Sequence, residues 1–122
     1  MIGYVTLGTN DMPRAAAFYD ALLSGVGAVR LMETERYIFW GVSMQLPSLC
    51  VTTPFDGRPA TIGNGDMVAL VVDARDKVDR MHAKALSLGG KDEGAPGDRG
   101  GGFYAAYFRD LEGHKLNVFC TG

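Results

Sequence analysis

Phe108-Arg109-Asp110-Leu111-Glu112-Gly113-His114-Lys115-Leu116 is the stretch on which the reading of this chain turns. An aspartate opening such a turn can bond back to the turn's own backbone. A glycine closing it supplies the left-handed corner that other residues resist, so the stretch reads as a hairpin between two strands. The second of those strands runs through Leu116-Asn117-Val118, and this triplet lies over Leu49-Cys50-Val51 at a separation of 67 residues. Further upstream the separation is 63: Val5 matches Val68, Leu7 matches Leu70, Leu23 matches Leu86 and Gly27 matches Gly90, while Asn10 matches Asp73. The chain therefore repeats itself, and the second copy is longer by four residues, placed in a loop from Gly94 to Gly102.

Each copy has the same order of elements. In the first, residues 2–7 are apolar and β-branched enough for a strand, and Asn10 or Asp11 caps a helix running to about Leu23. Pro13 is tolerated in its first turn, and Ala15, Phe18, Tyr19 and Leu22 recur at helical spacing on one face. Residues 28–33, 37–42 and 48–52 follow as three short strands. In the second copy Asp73 takes the capping place. The helix of residues 75–88 carries Val78, Met81, Ala85 and Leu88 on one face and stops at Gly89. The expected architecture is α+β: two βαβββ modules in tandem, with module one over 1–53, a Pro/Gly-rich linker over 54–65 and module two over 66–122. Because neither half is expected to bury both its sheet and its helix alone, a shared core is predicted.

Composition narrows the function. The chain has 122 residues with a net charge of −2, too acidic for a protein that neutralises nucleic-acid phosphates. Hydrophobic residues make up 47% and charged residues 21%, which is globular rather than disordered. Apolar runs are too short for a membrane span and no basic leader precedes a cleavable segment, so a soluble, cytoplasmic protein is expected. Cys50 and Cys120 cannot form a disulfide framework and read as small buried hydrophobes. Gly97-Asp98-Arg99-Gly100-Gly101-Gly102 precedes a strand rather than a helix, the wrong order for a dinucleotide fingerprint.

Over its whole length the chain resembles the vicinal oxygen chelate superfamily, which includes glyoxalases, bleomycin resistance proteins and ring-cleaving dioxygenases. The residues that carry the resemblance are Tyr4 to Gly8, Asp11, Ala17 to Leu23, Met67 to Leu70 and the Phe108–Leu116 hairpin. It implies that metal-dependent members place their His, Gln or Glu ligands on the opening and closing strands of each module. The matching positions here are Tyr4, Cys50, Met67 and Asn117, which supply neither imidazole nor carboxylate. No metal and no other cofactor is therefore expected. His82 reads as a surface or helix–sheet boundary residue and His114 as a turn residue, since neither has a spacing tied to a nucleophile.

What remains is a set of amphipathic side chains suited to a small-molecule pocket. The candidate ligand-binding residues are Tyr4, Asn64, Arg99, Tyr104, Tyr107 and Asn117. Asn64 lies in Gly63-Asn64-Gly65-Asp66, just before the strand of Met67. Arg99 stands in the glycine-rich stretch, which is expected to form a flexible lid over the second module's cup, with Tyr4 and Asn117 at its floor. An arginine there can pair with a carboxylate or phosphate, or simply be solvated. Aromatic residues occupy both phases of the alternating strands (Tyr37 and Phe39 against Ile38 and Trp40, Tyr104 and Phe108 against Phe103 and Tyr107), so half of them must be core. The resemblance supports two functions. One is metal-independent binding of a small molecule, as in the bleomycin resistance branch. The other is a glyoxalase-type lyase or isomerase acting on a small adduct or vicinal oxygen substrate, with Tyr4 or Glu93 as acid/base and a lactoylglutathione-lyase-like reaction. It also implies a two-fold homodimer, since the sheets' open edges need cover. Light scattering is expected to return twice the chain mass of 13.1 kDa; a monomer that persists on dilution contradicts this.

Overall fold

A computed structural model of the chain describes residues 1–122. The elements run β1 (Tyr4–Gly8), α1 (Met12–Leu23), a short helical turn (Ser24–Val26), β2 (Val29–Glu33), β3 (Tyr37–Gly41) and β4 (Ser48–Thr52). They continue with β5 (Val68–Val71), α2 (Arg75–Ser87), β6 (Lys91–Asp98), β7 (Phe103–Arg109) and β8 (Lys115–Thr121). Contacts divide the chain into two units, Met1–Ile62 and Gly63–Gly122. Each is a βαβββ module with a four-stranded sheet, ordered β1-β4-β3-β2 in the first and β5-β8-β7-β6 in the second. The first strand of each pairs parallel with the last, and the other pairs are antiparallel. Because the first and second strands of a module lie at opposite sheet edges, the helix joining them must cross one face, and that crossing covers it. Neither helix is long and apolar enough to span a membrane.

In the first unit, Asp11 caps α1 by accepting from the Arg14 amide at 3.2 Å, with Pro13 in the first turn where its missing N–H costs nothing. Asn10 does not cap the helix. Its side chain instead exchanges hydrogen bonds with the Ala60 backbone at 2.6 and 3.1 Å, tying in the long connection after β4. Ala15, Phe18, Tyr19 and Leu22 are buried as the periodicity requires, against Ile38, Trp40, Leu49 and Val51. Asp20 pins the helix to the sheet. Its carboxylate accepts from Trp40 Nε1 at 2.9 Å and from Arg30 Nε and Nη2 at 2.9 and 2.7 Å. The hydrogen bond from Arg30 holds the Asp20 carboxyl below the usual carboxylate range, against the opposing effect of its partial burial.

The second unit repeats this plan with other residues. Val78, Met81 and Ala85 of α2 are buried against Ala106, Phe108, Leu116, Val118 and Cys120. One expectation fails here. Asp73 is not the helix cap: Ala74 is, without a side-chain bond, because Asp73 lies one residue too early and its carboxylate instead pairs with Lys77 at 2.7 Å.

The Asp110 hairpin forms as its residues dictate. One carboxylate oxygen of Asp110 accepts the amides of Glu112, Gly113 and His114 at 3.0, 3.0 and 2.9 Å, and Gly113 takes the left-handed corner with φ of 100°. The turn sets the register of β7 against β8, from Arg109 opposite Lys115 to Phe103 opposite Thr121. Removing the carboxylate strands buried amides, and a hydrogen bond to a charged acceptor is worth roughly 1.5–3 kcal/mol. Asp110→Ala is therefore expected to destabilise the chain by about 2–3 kcal/mol, read as a lowered urea midpoint, with Asp110→Asn losing less.

Candidate functional site

Strand alternation sorts the second sheet into two faces. Tyr104, Ala106 and Phe108 of β7 stand opposite Cys120, Val118 and Leu116 of β8 and look toward α2. Phe103, Ala105, Tyr107 and Arg109 stand opposite Thr121, Phe119, Asn117 and Lys115 on the face without a helix. Tyr104, expected among the ligand-facing residues, is thus on the helix side. Its hydroxyl donates to Asp79 at 2.7 Å, the Arg75 guanidinium lies 4.8 Å from its ring centre, and the Asp79 contact pushes the phenol upward. The first sheet sorts likewise: Ile38 and Trp40 face α1, while Tyr37 and Phe39 share the helix-free face with Tyr4. The Tyr4 and Tyr37 rings meet Phe39 edge-on at 4.8 and 5.5 Å.

On the helix-free face of the second sheet, Tyr107 is the centre. Asn117 lies directly across from it and is 2% exposed. The Asn117 amide nitrogen donates to the carbonyls of Ala106 and Val118 at 3.0 and 3.3 Å. Only the nitrogen can donate, so the amide orientation is determined: both N–H groups are spent on the backbone and the carboxamide oxygen is left as an acceptor. On the other side of Tyr107 runs the edge strand β6. The stretch from Gly94 to Gly102, expected as a loop, is mostly this strand, with register shifts between Asp92 and Gly94 and between Gly94 and Gly97. The shifts absorb Pro96 and the glycines without breaking the pairing, as bulged edge strands do. Only Arg99 to Gly102 form the turn. Three successive glycines there hold φ of 112°, 62° and 83°, a path closed to side chains with a Cβ.

Arg99 folds back over β6. Its Nη2 donates to the Ala95 carbonyl at 2.7 Å and its guanidinium lies 5.6 Å from the Tyr107 ring centre. Gly94 and Gly97 make room for it: a Cβ at Gly97 would sit 2.9 Å from Nη1, and one at Gly94 3.3 Å from Nη2 and 3.0 Å from Tyr107 Cδ2. Lys115 approaches the same ring from β8, with Nζ 5.4 Å from its centre. Glu93, a candidate acid/base, is bound by Arg109 Nε at 2.6 Å, and that guanidinium also donates to the Gly113 carbonyl at 3.0 Å. Asn64 sits exposed in the turn before β5, the sheet edge opposite the one that ends at Arg99. Tyr4 belongs to the first unit's sheet. The structure thus brings Arg99, Tyr107 and Asn117 onto one face, and it adds Lys115, Gly94 and Gly97, which sequence reasoning passed over. Alternation alone could have found Lys115, two residues from Asn117.

The positions corresponding to the metal ligands of related proteins do not fit a divalent ion. Cys50 is buried and burial raises its thiol above the ordinary value, opposing the thiolate a metal needs. Tyr4 is a phenol packed on Phe39, Met67 a thioether, and Asn117 offers one neutral oxygen. No three His, Cys, Asp or Glu side chains are grouped so that they could hold a metal.

Two helix-covered four-stranded sheets of βαβββ order define a protein of the vicinal oxygen chelate class. Residues 1–118 match the model of the Glyoxalase/Bleomycin resistance protein/Dioxygenase superfamily, and the chain belongs to that superfamily. It is similar to a glyoxalase/bleomycin resistance protein of Albidiferax ferrireducens, with 31% identity over 100% of this chain and 99% of that one and a TM-score of 0.90. The lactoylglutathione lyase of Agrobacterium tumefaciens has the same fold at 19% identity, over 98% and 92% of the two chains, with a TM-score of 0.74. So does a genomically encoded fosfomycin resistance protein of Listeria monocytogenes at 15% identity, over 100% and 93%, with a TM-score of 0.74. No curated protein matches the chain by sequence.

Behind this face, one Asp92 oxygen accepts the Gly94 amide and meets His82 Nε2, both at 2.9 Å, fastening the first bulge to α2. Of the two places expected for His82, surface or helix–sheet boundary, it takes the second, and it is buried. The Gly94 amide first, and His82 second, hold the Asp92 carboxyl below its ordinary value. A carboxyl depressed in the folded state contributes stability that is present above its unfolded value, near 4, and is lost as pH falls through the lower folded value. Urea midpoints measured from pH 6 downward are expected to fall less steeply in Asp92→Asn than in the parent chain. Identical slopes show that Asp92 does not carry this dependence.

Proposed function

We propose that the chain binds a small molecule without a metal ion, on the helix-free face of the second unit's sheet. The observation that supports this reading most is Asn117. At a position where metal-dependent relatives hold a ligand to the ion, its amide is locked to two backbone carbonyls and its remaining oxygen is left as an acceptor beside an aromatic ring. Tyr107 supplies flat apolar surface, Arg99 a seated cation and Asn117 a placed polar atom, the composition of a binding pocket wall. Tyr4 on Phe39 offers an aromatic surface on the first unit's sheet, and Asn64 a polar group in the turn before β5. The protein works as a cytoplasmic homodimer, with neither nucleic acid nor membrane as partner; its net charge of −2 and two free, buried cysteines are consistent with that setting.

A second reading, a lyase or isomerase of the glyoxalase type, draws support from the Glu93–Arg109 pair, which places a carboxylate at the β6 edge of the same sheet. Metal analysis of freshly purified protein, run beside a thermal-shift and NMR screen of small aromatic and thiol-conjugate compounds, separates the two. Binding is expected to raise the melting temperature and move the Tyr107 and Asn117 resonances, with less than about one metal in ten chains and no effect of chelators. Near-stoichiometric metal, with turnover lost on chelation, overturns metal-independent binding.

A further inference from the structure

Half of the second unit's eight Lys and Arg side chains are paired with carboxylates. Arg75 pairs with Asp98 at 3.0 Å, Lys77 with Asp73 at 2.7 Å, Arg80 with Asp76 at 3.0 Å and Arg109 with Glu93 at 2.6 Å. Of the other four, Lys84, Lys91, Arg99 and Lys115, two come within 6 Å of the one Tyr107 ring: Arg99 from the β6–β7 turn and Lys115 from β8. We infer that these two side chains are the charge contacts for an oxyanion, and that the molecule bound on this face is a small carboxylate, phosphate or phosphonate with a flat body laid against Tyr107. This rests on the reading above that the face binds a small molecule.

The seating of Arg99 favours such a role over that of a solvated surface charge. A free arginine keeps its rotamer entropy; this one is ordered by the Ala95 carbonyl, the Tyr107 ring and a trough that exists only because residues 94 and 97 are glycine. Ordering it beforehand removes part of the cost that a ligand would otherwise bear. One nitrogen is spent on Ala95, which leaves other N–H groups of the planar fork to meet two oxygens of an anion, while Lys115 adds a compact charge beside the same ring. Two cations on one ring repel each other, and an anion between them reverses the sign of that interaction. The Asn117 oxygen directly across from Tyr107 accepts from a ligand hydroxyl or amine, so a hydroxy- or amino-substituted acid matches the face best. The acidic net charge of the chain and the carboxylate of Glu93 on the same sheet oppose a long polyanion.

Titration of the full-length protein with benzoate, phenylphosphonate and benzyl alcohol, followed by NMR and calorimetry, tests this. At least one of the two anions is expected to bind roughly tenfold more tightly than the alcohol, and which of them does so distinguishes a carboxylate from a phosphorus oxyanion. The advantage should shrink as salt is raised from about 50 to about 500 mM. Arg99→Gln and Lys115→Gln should each remove most of it. Gly97→Ala should weaken it too, because it retains the Arg99 charge but displaces the guanidinium from its seat; urea midpoints show that each variant stays folded. If the alcohol binds as tightly as both anions, or the Arg99 and Lys115 variants bind the anion undiminished, the oxyanion assignment is wrong, although shifts at Tyr107 would leave small-molecule binding standing. If no probe moves Tyr107 or Asn117, both fall together.

Discussion

A single carboxylate oxygen, that of Asp110, gathers three consecutive amides and so determines how β7 lies against β8. Everything on the second sheet depends on that register. A slip of one residue in a strand exchanges its two faces, which would put Tyr107 under α2 and Tyr104 on the helix-free side. With the turn closed as it is, Tyr107 meets Asn117, and Lys115 and Arg109 follow on the same face. The hairpin is thus the local device by which a short run of sequence positions side chains that belong to different strands.

The two modules solve one mechanical problem with different chemistry. A helix crossing a four-stranded sheet is held by its apolar face, but its position along the sheet needs directional bonds. In the first unit Asp20 on the helix gathers Trp40 and Arg30 from the sheet. In the second the helix brings His82, Asp79 and Arg75, which meet Asp92, Tyr104 and Asp98. Tyr19 and His82 occupy equivalent helical positions in the two copies, and both are buried. The repeat has retained the geometry and exchanged the residues. Asp98 also accepts the Gly100 amide at 2.7 Å, so the turn that carries Arg99 is tied to the start of α2.

The same freedom applies to the positions of Tyr4, Cys50, Met67 and Asn117. The strand positions remain, because sheet pairing requires them. What those positions carry is a matter of side chains alone, and here they carry groups satisfied within the chain: a packed phenol, a buried thiol and a tethered amide. The bulged strand β6 then leaves a trough at Gly94 and Gly97 in which Arg99, from the following turn, lies near Tyr107.

The sequence by itself determined the tandem βαβββ plan, both helices and their buried faces, and the Asp110 turn. The helices and the turn rest on contacts within a few residues, through helical periodicity or an aspartate bonding to its own turn, and the tandem plan on the repeat at separations of 63 and 67 residues. The edge strand β6 escaped that reading because Gly94, Pro96 and Gly97 lower strand propensity, while its bulges are defined only by the partner strand. Nor could alternation choose between Tyr104 and Tyr107, since aromatic residues fill both phases of β7 and only the position of α2 distinguishes them. Lys115, Arg99 and Tyr107 come from three separate segments. Their meeting at one ring, and the pairing of Glu93 with Arg109, follow from strand order and register, which are properties of the folded sheet rather than of any local stretch of chain.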